Sequence, residues 1–157
     1  MQSIWRFCLT PETIDHCKIV EDLHPSITEV NHINKTLKGN WTISPKFCHT
    51  KGTVAHGGTI AFILDTSMFV LLGALTDQRN GGVSIGLNIQ FYNLCRPGKV
   101  DVFSKLTKKG KNIAFASCDV FQNSEIIASA SQQMKIFNGK QGLNLDIFFA
   151  SEISHVK

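Results

Sequence analysis

The sequence lacks the patterns that identify most metal-binding and nucleic-acid-binding proteins. Its five cysteines are odd in number and widely scattered, without a Cys-x-x-Cys pair or a zinc-finger arrangement with histidine. The net charge of +4 is a mild excess, and the basic residues are not interleaved with aromatic ones as they are in RNA-binding motifs. We therefore expect free thiols in a reducing compartment, no bound metal and no nucleic-acid partner.

Signals for secretion and for membrane insertion are also weak. The stretch MQSIWRFCLTPETIDHC, residues 1–17, contains no continuous apolar segment like that of a secretory signal, so we expect a cytoplasmic protein. Residues 59–75 are apolar and approach the lower limit of a membrane span in length, but Asp65 interrupts them. We interpret this run as a buried helix, and we expect no membrane partner.

The composition indicates one folded domain. The chain has 157 residues, of which 43% are hydrophobic and 18% charged, enough apolar material for a single sizeable core. We divide it into an N-terminal extension, a core and a C-terminal tail, at residues 1–26, 27–137 and 138–157. Two strands are predicted at 27–37 and 39–48, joined near Lys38-Gly39-Asn40, before a loop at 48–53. Residues 76–82, TDQRNGG, are predicted to form the turn after the apolar helix.

Beyond the helix the hydrophobic period changes to two, which is typical of half-buried strands. In VSIGLNIQF, residues 83–91, simple alternation predicts that Ser84 and Asn88 share the face opposite the apolar side chains. Further strands are predicted at 100–106, 112–121 and 126–137. A helix that is apolar nearly all round needs cover on most sides, which a curved antiparallel sheet can give. We therefore predict an α+β hotdog fold, in which an antiparallel sheet wraps around one long apolar helix.

Four residues are candidates for chemistry within the apolar stretch VAHGGTIAFILDTSMFVLLGAL, residues 54–75: His56, Gly57, Gly58 and Asp65. The first N–H groups of a helix have no internal partner, and with the helix dipole they can bind an anion or the oxyanion of an attacked carbonyl. The glycine pair can equally be no more than a tight start to a helix. Asp65 can be a general base, a nucleophile or a buried structural acid, and His56 can be catalytic or structural.

The spacing between His56 and Asp65 excludes one arrangement. Nine residues on one helix correspond to about 13.5 Å of rise and about 900° of rotation, which is a net half turn. The two side chains therefore point to opposite sides and cannot hold one small reacting group together. If both serve the chemistry, the economical solution is a twofold dimer, in which Asp65 of one subunit faces the helix start of the other.

These residues, together with GVSIGLNIQFYNLCRPGKV and KKGKNIAFASCDVFQNSEIIASASQQMKIF, resemble the PaaI-like branch of the hotdog acyl-CoA thioesterases from about residue 39 to residue 137. The most specific feature is His-Gly-Gly with an acid nine positions after the histidine. The resemblance implies hydrolysis of an acyl-CoA thioester to a carboxylic acid and free CoA, with CoA as part of the substrate and with no cofactor or metal. It also implies a homodimer or a dimer of dimers, with sites shared between subunits.

The resemblance assigns catalytic roles to five residues. Asp65 would be the general base or nucleophile, Gly57 would donate its N–H to the thioester carbonyl, and His56 would orient the site. Ser84 would help to place the attacking water. Thr50 stands where the family usually has an asparagine that binds the carbonyl, and the loss of one such donor can cost about 10²–10³ in rate. Further candidates for contacts with the substrate are Gly58, Thr66, Asn88, His49 and Lys109, although a lysine in a basic turn can equally be a solvated hairpin end.

Two other functions remain open. Thr50 favours a non-catalytic acyl-CoA-binding or scaffold protein on the same fold, which would bind CoA esters without hydrolysing them. A hotdog acyl hydratase or dehydratase is the less favoured alternative, since the sequence lacks the Asp-x-x-x-x-His arrangement of those enzymes around the helix.

Overall fold

A long helix enclosed by an antiparallel sheet organises the fold. The computed structural model describes residues 18–76 and 80–138, and it describes the backbone of residues 149–156. Within these residues the helices are α1 (Lys18–Leu23) and α2 (Gly57–Leu75), with one turn of 3₁₀ helix at Pro45–Phe47. The strands are β1 (Ser26–Asn31), β2 (Thr36–Ile43), β3 (Cys48–His49), β4 (Val54–Ala55), β5 (Asn80–Phe91), β6 (Gly98–Lys109), β7 (Ile113–Gln122), β8 (Glu125–Asn138) and β9 (Phe149–Val156).

Seven strands form one sheet in the order β5-β8-β7-β6-β2-β1-β9, and β3 pairs with β4 in a small separate hairpin. Neighbouring strands of the large sheet are antiparallel, except that β9 runs parallel to β1. α2 packs against this sheet. Within the core, Trp41 Nε1 of β2 donates a hydrogen bond to Ser67 Oγ of α2 at 3.1 Å. The predicted α+β hotdog fold is confirmed. The fully buried apolar side chains of α2 include Ile60, Ile63, Leu64, Met68, Leu71 and Leu72.

The length and hydropathy of α2 are those of a helix that could cross a membrane. The position of α2 in the fold accounts for its apolar composition without a membrane. α2 lies against the inner face of the sheet, where a helix that is apolar nearly all round can bury its surface. α2 is therefore the buried core helix that the sequence predicts.

The connection between the first two strands lies elsewhere than predicted. Residues Lys38-Gly39-Asn40 are in the middle of β2 and pair with β6, so they do not form the turn. The turn occupies residues 32–35. There, Asn31 Oδ1 accepts a backbone hydrogen bond at 2.8 Å, and Lys35 adopts a φ of 56°. The chain therefore reverses beside an asparagine side chain that accepts a backbone hydrogen bond, and not at Lys38-Gly39-Asn40.

Other boundaries differ from the prediction by a few residues. β6 continues to Lys109, so the turn before β7 is shorter than predicted. Of the predicted turn 76–82, residues 80–82 belong to β5 and residues 77–79 lie outside the described residues. Residues 1–17 and 139–148 also lie outside them. The division into extension, core and tail therefore stays a prediction.

A β-bulge in β5 changes which side chains face the helix. Ser84 lies opposite Met134 of β8, and the register shifts between Ser84 and Gly86. Directly opposed residues of an antiparallel pair have their side chains on the same face. Ser84 therefore shares the inner face with the buried Met134, whereas Asn88 lies opposite the exposed Ser131 on the outer face. The prediction that Ser84 and Asn88 share a face is wrong, because simple alternation does not include the inserted residue.

Candidate active site

Asp65 is the centre of a hydrogen-bonded cluster on the inner face of the sheet. It is half-buried near the middle of α2. Ser84 Oγ of β5 donates a hydrogen bond to Asp65 Oδ1, with 2.6 Å between the two oxygens. Gln132 Nε2 of β8 donates to the same Oδ1 and, at 2.7 Å, to Ser84 Oγ. Two neighbouring strands thus hold the carboxylate, as the burial of a polar group requires.

Gln132 is the functional candidate that the sequence reasoning missed. Its side chain is only 1% exposed. In IIASASQQMKIF it alternates with Ala128, Ala130 and Met134, which are all buried on the inner face of β8. A glutamine in step with apolar residues is the signal that could have identified it, because an inward-facing amide needs hydrogen-bond partners.

The two donors leave one carboxylate oxygen of Asp65 available for chemistry. Both donate to Oδ1, and no donor to Oδ2 is found among the described residues. Such an oxygen can accept a proton from water or attack a carbonyl carbon. Ser84 Oγ donates its hydrogen bond to Asp65 and accepts one hydrogen bond from Gln132. Its Oγ therefore keeps one lone pair that can accept a hydrogen bond from water.

The backbone N–H groups at the start of α2 form a second candidate group, apart from the Asp65 cluster. His56 is the N-cap, with φ −62° and ψ 136°, and its side chain makes no capping hydrogen bond. Thr59 N and Ile60 N donate to the His56 carbonyl at 2.9 and 3.2 Å. Gly57 N and Gly58 N, by contrast, have no acceptor within the described parts of the chain, and both glycines are exposed. Free N–H groups at the positive end of a helix can bind a carbonyl oxygen that gains negative charge.

The segment before α2 brings His49 and Thr50 beside this helix start. β3 and β4 make a short hairpin, so residues 48–53, predicted as a loop, begin with two paired residues. The rings of His49 and His56 lie 5.0 Å apart between centroids. Thr50 has a φ of 52°, which is unusual for a β-branched residue. Thr50 Oγ1 is also hydrogen-bonded to His49 Nδ1 at 2.7 Å, so this hydroxyl is engaged within the hairpin.

The Asp65 cluster and the helix start are separate within one chain. Gly57 and Asp65 are eight residues apart on α2, which corresponds to a rise of about 12 Å. They also contact opposite ends of β5. Ser84, near the start of the strand, binds Asp65, whereas a Cβ added at Gly57 would lie 3.4 Å from Phe91 Cζ at the end of the strand. The chain therefore carries two half-sites rather than one complete site.

The remaining predicted contact residues have varied positions. Thr66 follows Asp65 on α2 and is half-buried. Asn88 accepts a hydrogen bond from Gln90 Nε2 on the outer face of β5, so the structure does not bring it to the Asp65 cluster. Lys109 is exposed at the end of β6. The structure thus brings Asp65 together with Ser84 and, separately, groups the predicted residues His49, Thr50, His56, Gly57 and Gly58.

The cysteines within the described residues are poor nucleophiles. Burial raises the pKa of the Cys95 thiol to about 11 and that of the Cys118 thiol to about 12, and it also raises the pKa of Cys48. Such thiols are protonated at neutral pH and react slowly. In the same part of the chain, no three His, Cys, Asp or Glu side chains form a group that could hold a metal ion. Asp65 is consequently the strongest candidate for a reacting group.

Comparisons with known proteins show which family and which fold this chain resembles. The family model of the thioesterase superfamily matches residues 52–128. PA0474 of Pseudomonas aeruginosa is 30% identical over 90 residues, which cover 57% of this chain and 66% of that protein. The PaaI protein of the phenylacetic acid degradation operon of E. coli is similar in structure, with a TM-score of 0.68 and 14% identity over 82% of this chain and 90% of its own. The protein smu.793 of Streptococcus mutans, solved with acetyl CoA, has a TM-score of 0.64 and 15% identity over 73% of this chain and 90% of its own.

Proposed function

This chain belongs to the thioesterase superfamily and has its hotdog fold, and from that premise we propose that it hydrolyses acyl-CoA thioesters to a carboxylic acid and free CoA. The observation that carries the proposal is the hydrogen-bonded cluster of Asp65, Ser84 and Gln132 on the core helix and its two strands. Two comparisons support the substrate class, since smu.793 binds acetyl CoA and PA0474 carries the name of an esterase. CoA enters as part of the substrate, and the proposed reaction uses no cofactor or metal.

Asp65 and Ser84 place the attacking water in this proposal. One O–H of the water donates to Asp65 Oδ2 and the other to Ser84 Oγ, which turns a water lone pair towards the thioester carbonyl carbon. The water oxygen bonds to that carbon as Asp65 takes the proton, and the C=O electron pair moves onto the carbonyl oxygen. Collapse of the tetrahedral intermediate breaks the C–S bond, and the proton on Asp65 passes to the departing CoA sulfur. In the alternative route, Asp65 Oδ2 attacks the carbon directly, the C–S bond breaks and CoA leaves as the thiolate. Water then hydrolyses the mixed anhydride to the carboxylic acid and free Asp65, and the remaining proton passes to the CoA sulfur.

The helix start stabilises the oxyanion. Gly57 N is the proposed donor, because it donates to none of the described residues, and Gly57 is exposed at the positive end of α2. His56 lies beside it and orients the thioester carbonyl, with Gly58, His49 and Thr50 as neighbouring contacts for the substrate. Lys109, exposed at the end of β6, is proposed only as a cation for the CoA phosphates.

A second copy of the chain completes the site. β5 is an edge strand of the described sheet, is 12 residues long, and exposes the apolar side chains of Ile85 and Phe91 by 57% and 54%. A long apolar edge of this kind is normally covered, since it otherwise pairs with other chains. Two β5 strands related by a twofold axis would cover each other and bring one helix start towards the other subunit's Asp65. We propose a cytoplasmic homodimer or dimer of dimers.

Steady-state hydrolysis of a panel of acyl-CoAs tests the activity. Wild type is expected to release free CoA from at least one substrate, and Asp65→Asn is expected to lose about 10²-fold or more in kcat because the amide cannot take a proton. Asp119→Asn is the matched control, because Asp119 also accepts a serine hydrogen bond, from Ser129 Oγ, but lies away from the cluster. No turnover of any substrate, or an Asp65→Asn variant as active as wild type, would refute the proposal.

Thr50 supports a second candidate function, that of a protein which binds acyl-CoA without hydrolysing it. Its hydroxyl is hydrogen-bonded to His49 Nδ1, and when the hydroxyl donates this bond its proton is not available to a thioester carbonyl. The site would then lack one of the donors that stabilise the oxyanion. Calorimetric binding of CoA esters without release of free CoA would decide for this function.

A further inference from the structure

Gln132 occupies a position where the fold would normally place an apolar residue. It lies on the inner face of β8 between Ala130 and Met134, with 1% of its surface exposed. Its amide nitrogen donates two hydrogen bonds, one to Asp65 Oδ1 and one to Ser84 Oγ. The nitrogen, not the oxygen, must face the carboxylate, because two oxygens with lone pairs at that separation repel each other.

The other end of the same amide has no partner. Gln132 Oε1 is buried and accepts no hydrogen bond from the described residues. A buried acceptor without a donor costs free energy and offsets what the two hydrogen bonds from Nε2 contribute, so folding stability alone does not explain Gln132. Both hydrogen bonds of its Nε2 instead go to Asp65 and Ser84, the two residues proposed to hold the reacting water.

The hydrogen-bond directions give these contacts a chemical consequence. Because Gln132 Nε2 occupies a lone pair of Ser84 Oγ, the serine proton is directed to Asp65 Oδ1. Because Nε2 also binds Oδ1, the carboxylate is fixed about its side-chain torsion with Oδ2 as the free oxygen. Without the amide, the serine hydroxyl and the carboxylate could both rotate.

We propose that Gln132 is a positioning residue for the hydrolysis, which fixes Asp65 Oδ2 as the oxygen that acts on water and Ser84 Oγ as the acceptor that orients it. The inference rests on the proposed thioesterase function. It assigns no contact between Gln132 and the substrate, so its loss should change the rate of the chemical step and leave substrate binding unchanged.

The test compares Gln132→Met with Gln133→Met in steady-state hydrolysis of the best acyl-CoA and in thermal unfolding. Methionine keeps the length of the side chain and cannot donate. Gln133 is the matched control, because it is the next residue of β8 and lies on the outer face, opposite Gly86. For Gln132→Met we expect kcat to fall about 10- to 100-fold, with KM within about twofold of wild type and an unfolding midpoint that is not lowered. Gln133→Met should retain the wild-type kcat.

A second variant keeps the inference testable if Gln132→Met does not fold. Gln132→Glu keeps the shape of the side chain and replaces the donating N–H with an oxygen that repels Asp65 Oδ1, so a loss of kcat at least as large is expected at unchanged KM. Wild-type kcat in either folded variant, or a raised KM at unchanged kcat, would overturn the inference. A wild type that hydrolyses no acyl-CoA would instead overturn the proposed function, so the two failures are distinguishable.

Discussion

Replacement of Gly57 by proline removes the proposed oxyanion donor at the one position of α2 where the helix tolerates it. Gly57 is the first helical residue, where proline is favoured because its missing N–H has no helical partner. The residue before a proline must be extended, and His56 already has φ −62° and ψ 136°. Gly57 N also donates to no described group, so the substitution breaks no hydrogen bond of the fold.

The expected effect is large for the rate and small for stability. Loss of one oxyanion donor costs about 10²–10³ in kcat, or roughly 2.7–4 kcal/mol of transition-state stabilisation. A glycine-to-proline change without strain stabilises a protein by about 0.4–1 kcal/mol through the unfolded chain. For a chain of this size that corresponds to a rise of roughly 1–4 °C in the unfolding midpoint.

Two variants separate the missing N–H from added bulk. Gly57→Ala keeps the N–H and adds a Cβ 3.4 Å from Phe91 Cζ, and Gly58→Ala adds a Cβ with no atom within 4 Å. Steady-state release of free CoA and thermal unfolding should show Gly57→Pro as stable but slow, and both alanine variants close to wild type in kcat. If Gly57→Pro retains the wild-type kcat, or if Gly57→Ala is equally slow, the N–H at this position is not the donor.

Three further predictions concern other parts of the chain. Thr50→Asn should raise kcat by about tenfold or more, because it restores an amide donor. Thr50→Gly only relieves the positive φ of 52° and should raise the unfolding midpoint without raising kcat, so equal rates for the two variants would contradict this. Gly39→Ala should destabilise the protein by about 1–3 kcal/mol in denaturant unfolding, because its Cβ would lie 2.7 Å from the Ser26 carbonyl oxygen, and an unchanged midpoint would contradict the packing described for β2. Burial raises the thiol pKa of Cys95 to about 11 and that of Cys118 to about 12, so both should resist iodoacetamide at pH 7.5 in the folded protein and react in denaturant. Peptide mass spectrometry measures the labelling, and rapid labelling of the folded protein would be inconsistent with the burial of these thiols.

The central helix and its two candidate groups could be predicted because local signals determine them. An apolar run with Gly-Gly at its start defines where α2 begins, and the sequence distance from His56 to Asp65 sets their angle on the helix. The burial of such a helix then requires a sheet around it, which gave the fold class. These inferences use one element at a time and need no knowledge of which strands pair.

The errors arise where pairing between strands decides the geometry. Alternation along β5 placed Ser84 with Asn88, but the bulge at Ser84–Gly86 exists only in the register with β8. That bulge turns Ser84 towards Asp65. The family resemblance had implied a role for Ser84 at the site, whereas simple alternation had placed its side chain on the opposite face. Gln132 was missed for a related reason, since an amide on an apolar face becomes informative only when its partner on another element is known.

Complementation between two inactive variants tests most directly the claim that Asp65 of one subunit works with the helix start of the other. Asp65→Asn and Gly57→Pro would be co-expressed with different affinity tags, and the mixed oligomer purified through both tags. In a shared site, the mixed dimer has one site with both changes and one with neither, so we predict about half of the wild-type kcat per dimer. If the mixed oligomer forms and is as inactive as its two parents, each site is built within one chain and the account is contradicted.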